Sequence, residues 1–242
     1  MIDLHSHILP GVDDGAKNFD DSLKMLRELE SQLITDVILT PHYFPERGFT
    51  NTVIENQKIF RELQQRAAAE GIKLNLYLGN EIYISSDIIE QIYQSKIKPL
   101  ADSSFLLVEL PLSGHFSHYE DIFRQLLRSG WRVVLAHPER YYSIQQDFQI
   151  ALDLRNMGVL FQCDLFSLNG AYGKAAKQLV NRLAAEHLIF GFGTDIHRPH
   201  RDKRISRAQG RLLKYYTPTE LDQLLDRNAL IIIKGATAWI VF

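Results

Sequence analysis

Residues 1–7, MIDLHSH, followed by residues 18–33, NFDDSLKMLRELESQL, make the unit on which the reading of the whole chain turns. The first piece is a short apolar strand that ends in His5 and His7, and the second places Leu23, Leu26, Leu29 and Leu33 at helical spacing. The same strand-then-helix unit recurs as DVILTPH (36–42) before a helix over 52–70, LNLYLGNEI (74–82) before 87–94, and SFLLVEL (104–110) before 119–129. It returns as WRVVLAHPER (131–140) before 148–157, VLFQCDL (159–165) before 173–186, and LIFGFGTDIH (188–197) before a helical C-terminal region. Seven such units imply an α/β fold of parallel strands covered by helices, either a closed barrel or a doubly wound sheet.

The polar residues at the end of each apolar run decide between the two. Strand one ends in His5 and His7, strand two in His42, strand three in Glu81, strand four in Glu109, strand five in His137, and strand seven in Asp195 and His197. Strand six offers Gln162 and Asp164 and no obvious ligand. Side chains two apart on a strand share a face, so His5 with His7 and Asp195 with His197 each read as a converging pair. Such groups are costly to bury singly, and only a barrel brings all the carboxyl ends of its strands to one mouth, where a shared metal cluster satisfies them together. A barrel is therefore expected, with a metal site at the C-terminal ends of its strands.

Composition agrees with one globular domain over residues 1–242. The chain is 45% apolar and 23% charged with a net charge of −2, so it carries no broad positive field and no nucleic-acid partner is expected. Its longest apolar runs, such as VVLA and LIII, are strand-sized, which argues against membrane insertion. A single cysteine, Cys163, and the absence of a leader pattern before the first strand give a cytoplasmic expectation. The turn-like breaks at 70–71, 128–130 and 156–158 mark no domain boundary, and YFPERGFTN (43–51) is a candidate rim or lid.

The series DLHSH, VDDG, TPH, GNEIY, LVEL, AHPERY and GTDIH resembles, in order and over nearly the whole chain, the motifs of the PHP (polymerase and histidinol phosphatase) superfamily. It is most similar to the bacterial tyrosine-phosphatase branch from capsule and exopolysaccharide loci. The resemblance implies a distorted (β/α)7 barrel and a site for three divalent metal ions, manganese first, with iron, cobalt or zinc as alternatives. One ion would take His5, His7, Glu81 and Asp195, a second Glu81, Glu109 and His137, and a third Asp14, His42 and His197. In VDDG, Asp13 stands next to Asp14, and the family motif favours Asp14. Arg140, in HPER, matches the phosphate-binding arginine, and a guanidinium there can grip phosphate oxygens bidentately. Arg201 is the choice for a second such arginine, with Arg198 and Arg204 competing for the role.

Four carboxylates facing three divalent ions leave a net positive site, which suits a phosphomonoester, and metal-acidified water makes a nucleophilic cysteine unnecessary. The activity so implied is hydrolysis of phosphotyrosine in the tail of a bacterial tyrosine kinase that controls polysaccharide synthesis. A small-molecule phosphatase of the histidinol-phosphate type, or a phosphodiesterase, shares the same site, and a non-catalytic metal-stabilised binding module is the rival from another class. Cys163 reads as a buried small hydrophobe, GFG (191–193) as strand packing, and His115 and His118 as solvated. The aromatics Tyr43, Phe44, Phe49, Tyr141 and Tyr142 either stack on a phenyl ring or close the rim.

Overall fold

The computed structural model describes residues 1–199 and 204–235. Among them nine short strands are all parallel to their neighbours: β1 (Ile2–Asp3), β2 (Asp36–Leu39), β3 (His42–Tyr43), β4 (Asn75–Leu78), β5 (Glu81–Tyr83), β6 (Phe105–Glu109), β7 (Arg132–Ala136), β8 (Leu160–Asp164) and β9 (Gly191–Gly193). They form a three-stranded sheet, β1-β2-β4, and a six-stranded sheet, β3-β5-β6-β7-β8-β9. Two of the seven expected strands are kinked in the middle. Pro41, which has no N–H to give a ladder, separates β2 from β3, and Gly79 and Asn80 separate β4 from β5.

The chain beyond β1 joins the two sheets. Residues 4–7 run between the continuation of β9 and Thr40, through Leu4 N to Phe192 O at 3.3 Å, Asp195 N to His5 O at 2.8 Å, His7 N to Ile196 O at 3.0 Å and Thr40 N to Ser6 O at 2.8 Å. A parallel bridge pairs Ser6 with Ile196. Each kinked pair counts as one path, so seven strand paths curl round into a distorted barrel, in the order of the sequence units. The close approach of the chain just beyond β1 to β9 is permitted by glycine: a Cβ at Gly193 would lie 2.4 Å from the Cβ of His5, and one at Gly191 would lie 2.5 Å from Leu4 Cδ1. GFG is strand packing, as its sequence suggests.

Inside this ring the apolar and polar ends are segregated. Ile2, Leu4, Ile38, Phe105, Leu107, Val134, Ala136, Leu160 and Phe190 fill the lower interior, joined by Ala229 and Ile232 of the C-terminal helix Asn228–Ile233, which seals the floor. The helices pack outside over a second, larger core. In the first, α1 (Phe19–Ser31), Asn18 caps the N-terminus by accepting from Asp21 N at 2.9 Å, and Leu23, Met25, Leu26 and Leu29 are buried. The apolar spacing overshoots at its end: α1 stops at Ser31, Leu33 takes a left-handed φ of 64° and is 82% exposed, and the next residue, Ile34, returns to the core. No helix among the described residues is long and apolar enough to cross a membrane.

Candidate metal centre

His5 and His7 leave β1 on one face and are fully buried, each oriented from behind. The Nδ1 of His5 donates to Gln162 Oε1 at 2.7 Å, and the Nδ1 of His7 donates to Asp13 Oδ2 at 2.7 Å. Asp13 also accepts from the backbone N–H of Gly15 and His42. With both Nδ1 protons so placed, both Nε2 lone pairs point inward, which is the tautomer a metal requires. Here the neighbours Asp13 and Asp14 separate. Asp13 turns inward to hold a ring, whereas Asp14 is half exposed and faces the cleft.

Four atoms then crowd together. His5 Nε2 and His7 Nε2 are 3.1 Å apart; Glu81 Oε2 is 3.1 Å and 3.2 Å from them, and Asp195 Oδ1 is 3.4 Å and 3.2 Å from them. Ligands at typical Zn–N and Zn–O lengths around a tetrahedral centre have edges of about 3.3–3.4 Å, so these spacings fit a small divalent cation. On one side of this nest, His137 Nε2 lies 3.0 Å from Glu81 Oε1 and 3.7 Å from Glu109 Oε1. On the other, Asp14 Oδ1 lies 3.6 Å from His42 Nε2 and 3.4 Å from His197 Nε2. Among the described residues three groups could each hold an ion: His5, His7, Glu81 and Asp195; His42, Glu81 and Glu109; and His7, Asp14, His42 and His197. The His42 ring stands between two of them, its Nδ1 3.1 Å from Glu81 Oε2 and its Nε2 towards Asp14, a double aspect that strand spacing does not reveal.

The electrostatics call for positive charge. Burial opposes the His5 imidazolium, yet the Glu81 and Asp195 carboxylates outweigh it and hold His5 at about 9. Burial and the Glu81 charge push Glu109 up to about 8, while burial takes His42 down to about 4. Asp195, despite burial, is held far below the carboxylate range by His5 and His7. In this constellation protons occupy the role that a cation would fill, and a bound metal would displace them.

Arg140 closes the site. It ends the turn Pro138–Arg140, which continues from β7 through His137, and His137 and Asp195 both take left-handed φ values, 35° and 49°. Non-glycine residues in that region carry backbone strain that the surrounding structure must hold. Behind the turn, the buried Glu139 carboxyl accepts from Asp164 N at 2.9 Å and Ser167 Oγ at 2.7 Å, and burial raises its pKa. Arg140 Nη1 donates to Asp195 Oδ2 at 2.7 Å, and its guanidinium lies 4.5 Å from the centre of the Tyr172 ring.

All nine residues that the sequence nominates as ligands, together with Arg140, converge at one cleft of about 390 Å³ or directly beneath it. Arg201 lies outside the described residues, as does His200. Arg198 is exposed and does not line the cleft, and Arg204 opens the helix Arg204–Leu212. Sequence reasoning missed Gln162 and Tyr172, which act through His5 and Arg140, and Tyr83 and Arg47, which line the cleft. Gln162 stood at an inward strand position, Arg47 in the candidate rim 43–51 and Tyr83 in GNEIY, so only Tyr172 left no readable signal. The aromatics divide: Tyr43 and Tyr141 are buried, the latter pinned between Ala136 O and Leu110 N. Phe44 lines the cleft, Phe49 stacks on His42 at 5.8 Å, and Tyr142 is exposed. Cys163 is fully buried in β8, and His115 and His118 are exposed.

Comparison with known proteins gives a consistent set of likenesses. A family model described as capsular polysaccharide synthesis, CpsB/CapC, matches residues 1–234. CapC of Staphylococcus aureus is 32% identical over 237 residues, covering 96% of this chain and 91% of that protein. The tyrosine-protein phosphatase YwqE of Bacillus subtilis (strain 168) is 30% identical over 242 residues, covering 98% and 93%. Among solved structures, one from work on YwqE of Bacillus subtilis and CpsB of Streptococcus pneumoniae, described as metal-dependent tyrosine phosphatases, superposes with a TM-score of 0.90 at 30% identity, covering 99% of this chain and 96% of that one. A phosphotriesterase from Mycobacterium tuberculosis, with a TM-score of 0.58 at 12% identity over 97% of this chain and 93% of that one, shares the fold.

Proposed function

Because this chain belongs to the capsular polysaccharide synthesis CpsB/CapC family, we propose that it is a metal-dependent protein-tyrosine phosphatase of capsule or exopolysaccharide synthesis. The observation that carries the reading is the nest of His5, His7, Glu81 and Asp195, in which each histidine Nε2 lies 3.1–3.4 Å from the other and from both carboxylates, and whose oxygen Asp195 Oδ2 engages Arg140. In this reading the cleft would take three divalent cations. His5, His7, Glu81 and Asp195 would hold one; Glu81, Glu109 and His137, with His42 beside them, would hold the second; Asp14, His42 and His197, with His7 beneath, would hold the third. Mixed imidazole and carboxylate donors suit manganese and also admit iron, cobalt or zinc. Bound cations supply Lewis acidity towards phosphoryl oxygens and an acidified water at neutral pH.

The chain's own residues do the rest. Arg140, fixed by Asp195 and Tyr172, turns its remaining N–H donors to the phosphoryl oxygens, a planar fork matched to that group. Asp13 and Gln162 hold the two histidine rings in their working tautomers. Cys163 takes no part, being sealed in the core. The substrate is a phosphotyrosine in the tail of a bacterial tyrosine kinase, and the protein works in the cytoplasm.

The test is turnover of metal-stripped protein reconstituted with Mn²⁺, on a phosphotyrosine peptide and on histidinol phosphate side by side. Preference for the peptide, abolished by chelator, is expected. Preference for histidinol phosphate would replace the substrate and keep the chemistry, and inactivity on both would favour a diesterase or a binding module.

A further inference from the structure

The apolar and aromatic lining of the cleft comes from one set of neighbouring strands. Phe44, just after β3, Tyr83, at the end of β5, and Leu110, Pro111 and Leu112, just after β6, all line it, and β3, β5 and β6 are consecutive neighbours in the six-stranded sheet. Arg140 comes after β7, and Asp195 and His197 come after β9. On this arc His42, Glu81 and Glu109 are each followed closely along the chain by apolar or aromatic residues that line the cleft, whereas the residues lining it after β7 and β9 are all ionic.

That arc is already assembled. The rings of Phe44 and Tyr83 stack with centroids 3.6 Å apart and planes 8° from parallel, and the Arg47 guanidinium packs over Phe44 at 5.4 Å from its centre. The loop bearing Phe44 is closed on itself by paired hydrogen bonds between Phe44 and Phe49, 2.9 Å and 3.1 Å, with Gly48 turning at φ 82°. On the other side of the arc, Leu110 N donates to the Tyr141 hydroxyl, and Leu112 O accepts from Tyr142 N at 2.9 Å. A wall held from both sides needs little reordering when a ligand meets it.

A phosphomonoester has three phosphoryl oxygens that seek charge and one ester oxygen that carries carbon. With the phosphoryl group at the ionic floor, the carbon side is best matched by the apolar arc, and a flat stacked pair of rings matches a flat aryl group better than a flexible polyol chain. We propose that the Phe44–Tyr83 wall, backed by Arg47 and continued by Leu110–Leu112, is the subsite for the aryl leaving group and sets the preference for aryl over alkyl phosphates. This inference rests on the phosphatase reading and deepens it.

The experiment uses the full chain reconstituted with Mn²⁺. It compares kcat/KM for a phosphotyrosine peptide with that for a phosphoserine peptide of the same flanks and for β-glycerol phosphate. Inhibition by inorganic phosphate is measured in parallel. Tyr83→Ala and Phe44→Ala are each expected to lower kcat/KM on phosphotyrosine by about tenfold, the scale of one aromatic pair, with alkyl turnover and phosphate inhibition within about twofold of wild type. Tyr83→Phe, which keeps the stack, is expected to retain the aryl preference, and Phe44→Leu serves if Phe44→Ala does not fold. Equal losses on aryl and alkyl substrates, or no loss on either, would overturn the subsite while leaving the phosphatase reading intact. Absence of monoester hydrolysis in the reconstituted wild type would overturn both.

Discussion

Arg140 spends one nitrogen on Asp195 and lays its plane near Tyr172, so its role depends on shape as well as charge. Arg140→Ala should fold and bind its metals, yet lose about 10²–10³ in kcat, the usual scale for removing one preorganised donor at developing charge. Arg140→Lys restores the charge without the fork and should recover only a small part. Steady-state kinetics with elemental analysis check this, and unchanged turnover would remove Arg140 from phosphate binding. His5 gives a second prediction. Glu81 and Asp195 hold its imidazolium to about 9 against the opposing effect of burial, so below about pH 9 a proton occupies a position that a cation must clear. Mn²⁺ affinity should therefore rise with pH up to about 9, with net proton release on binding. Calorimetry in two buffers of different ionisation enthalpy tests it, and identical heats would contradict it.

At the scale of elements, the chain just beyond β1 approaches β9 so closely that position 193 has no room for a methyl group. Gly193→Ala should cost about 1–3 kcal/mol by overpacking, displace His5 and Gln162, and lower metal loading with helical content retained. A thermal melt beside metal analysis reads both effects, and wild-type loading would contradict the coupling. The strand ends were legible because buried histidines and carboxylates after apolar runs have few inexpensive alternatives. The kinks at Pro41 and Gly79–Asn80 were less so, since hydrophobic pattern continues through both halves of each path. Leu33 shows the same limit: its spacing fits α1, but the chain must turn towards β2, and Ile34 is the residue that packs. Gln162 and Tyr172 escaped because each acts through a neighbour distant in sequence, His5 and Arg140, and a single chain does not display such pairs; Tyr83 in GNEIY and Arg47 in the candidate rim 43–51 stood there without a role of their own.

Across the whole molecule, the barrel has a dry floor and a charged mouth, and its circle closes where residues 4–7 meet residues 192–196. His5 and His7 come from the first strand and Asp195 and His197 from the last, so cations in the cleft would fasten the two ends of the ring and supply the charge that its carboxylates seek. Backbone hydrogen bonds already close the ring, and bound cations would tie that closure to the phosphate chemistry of the cleft. The most direct measurement loads metal-stripped protein with Mn²⁺, removes the excess, and determines ions per chain by elemental analysis together with phosphotyrosine turnover on the same samples. Up to three ions per chain are expected, with turnover that rises with loading and disappears on chelation. Full turnover by the metal-free protein, or loading below one ion per chain, would refute the metal-dependent mechanism.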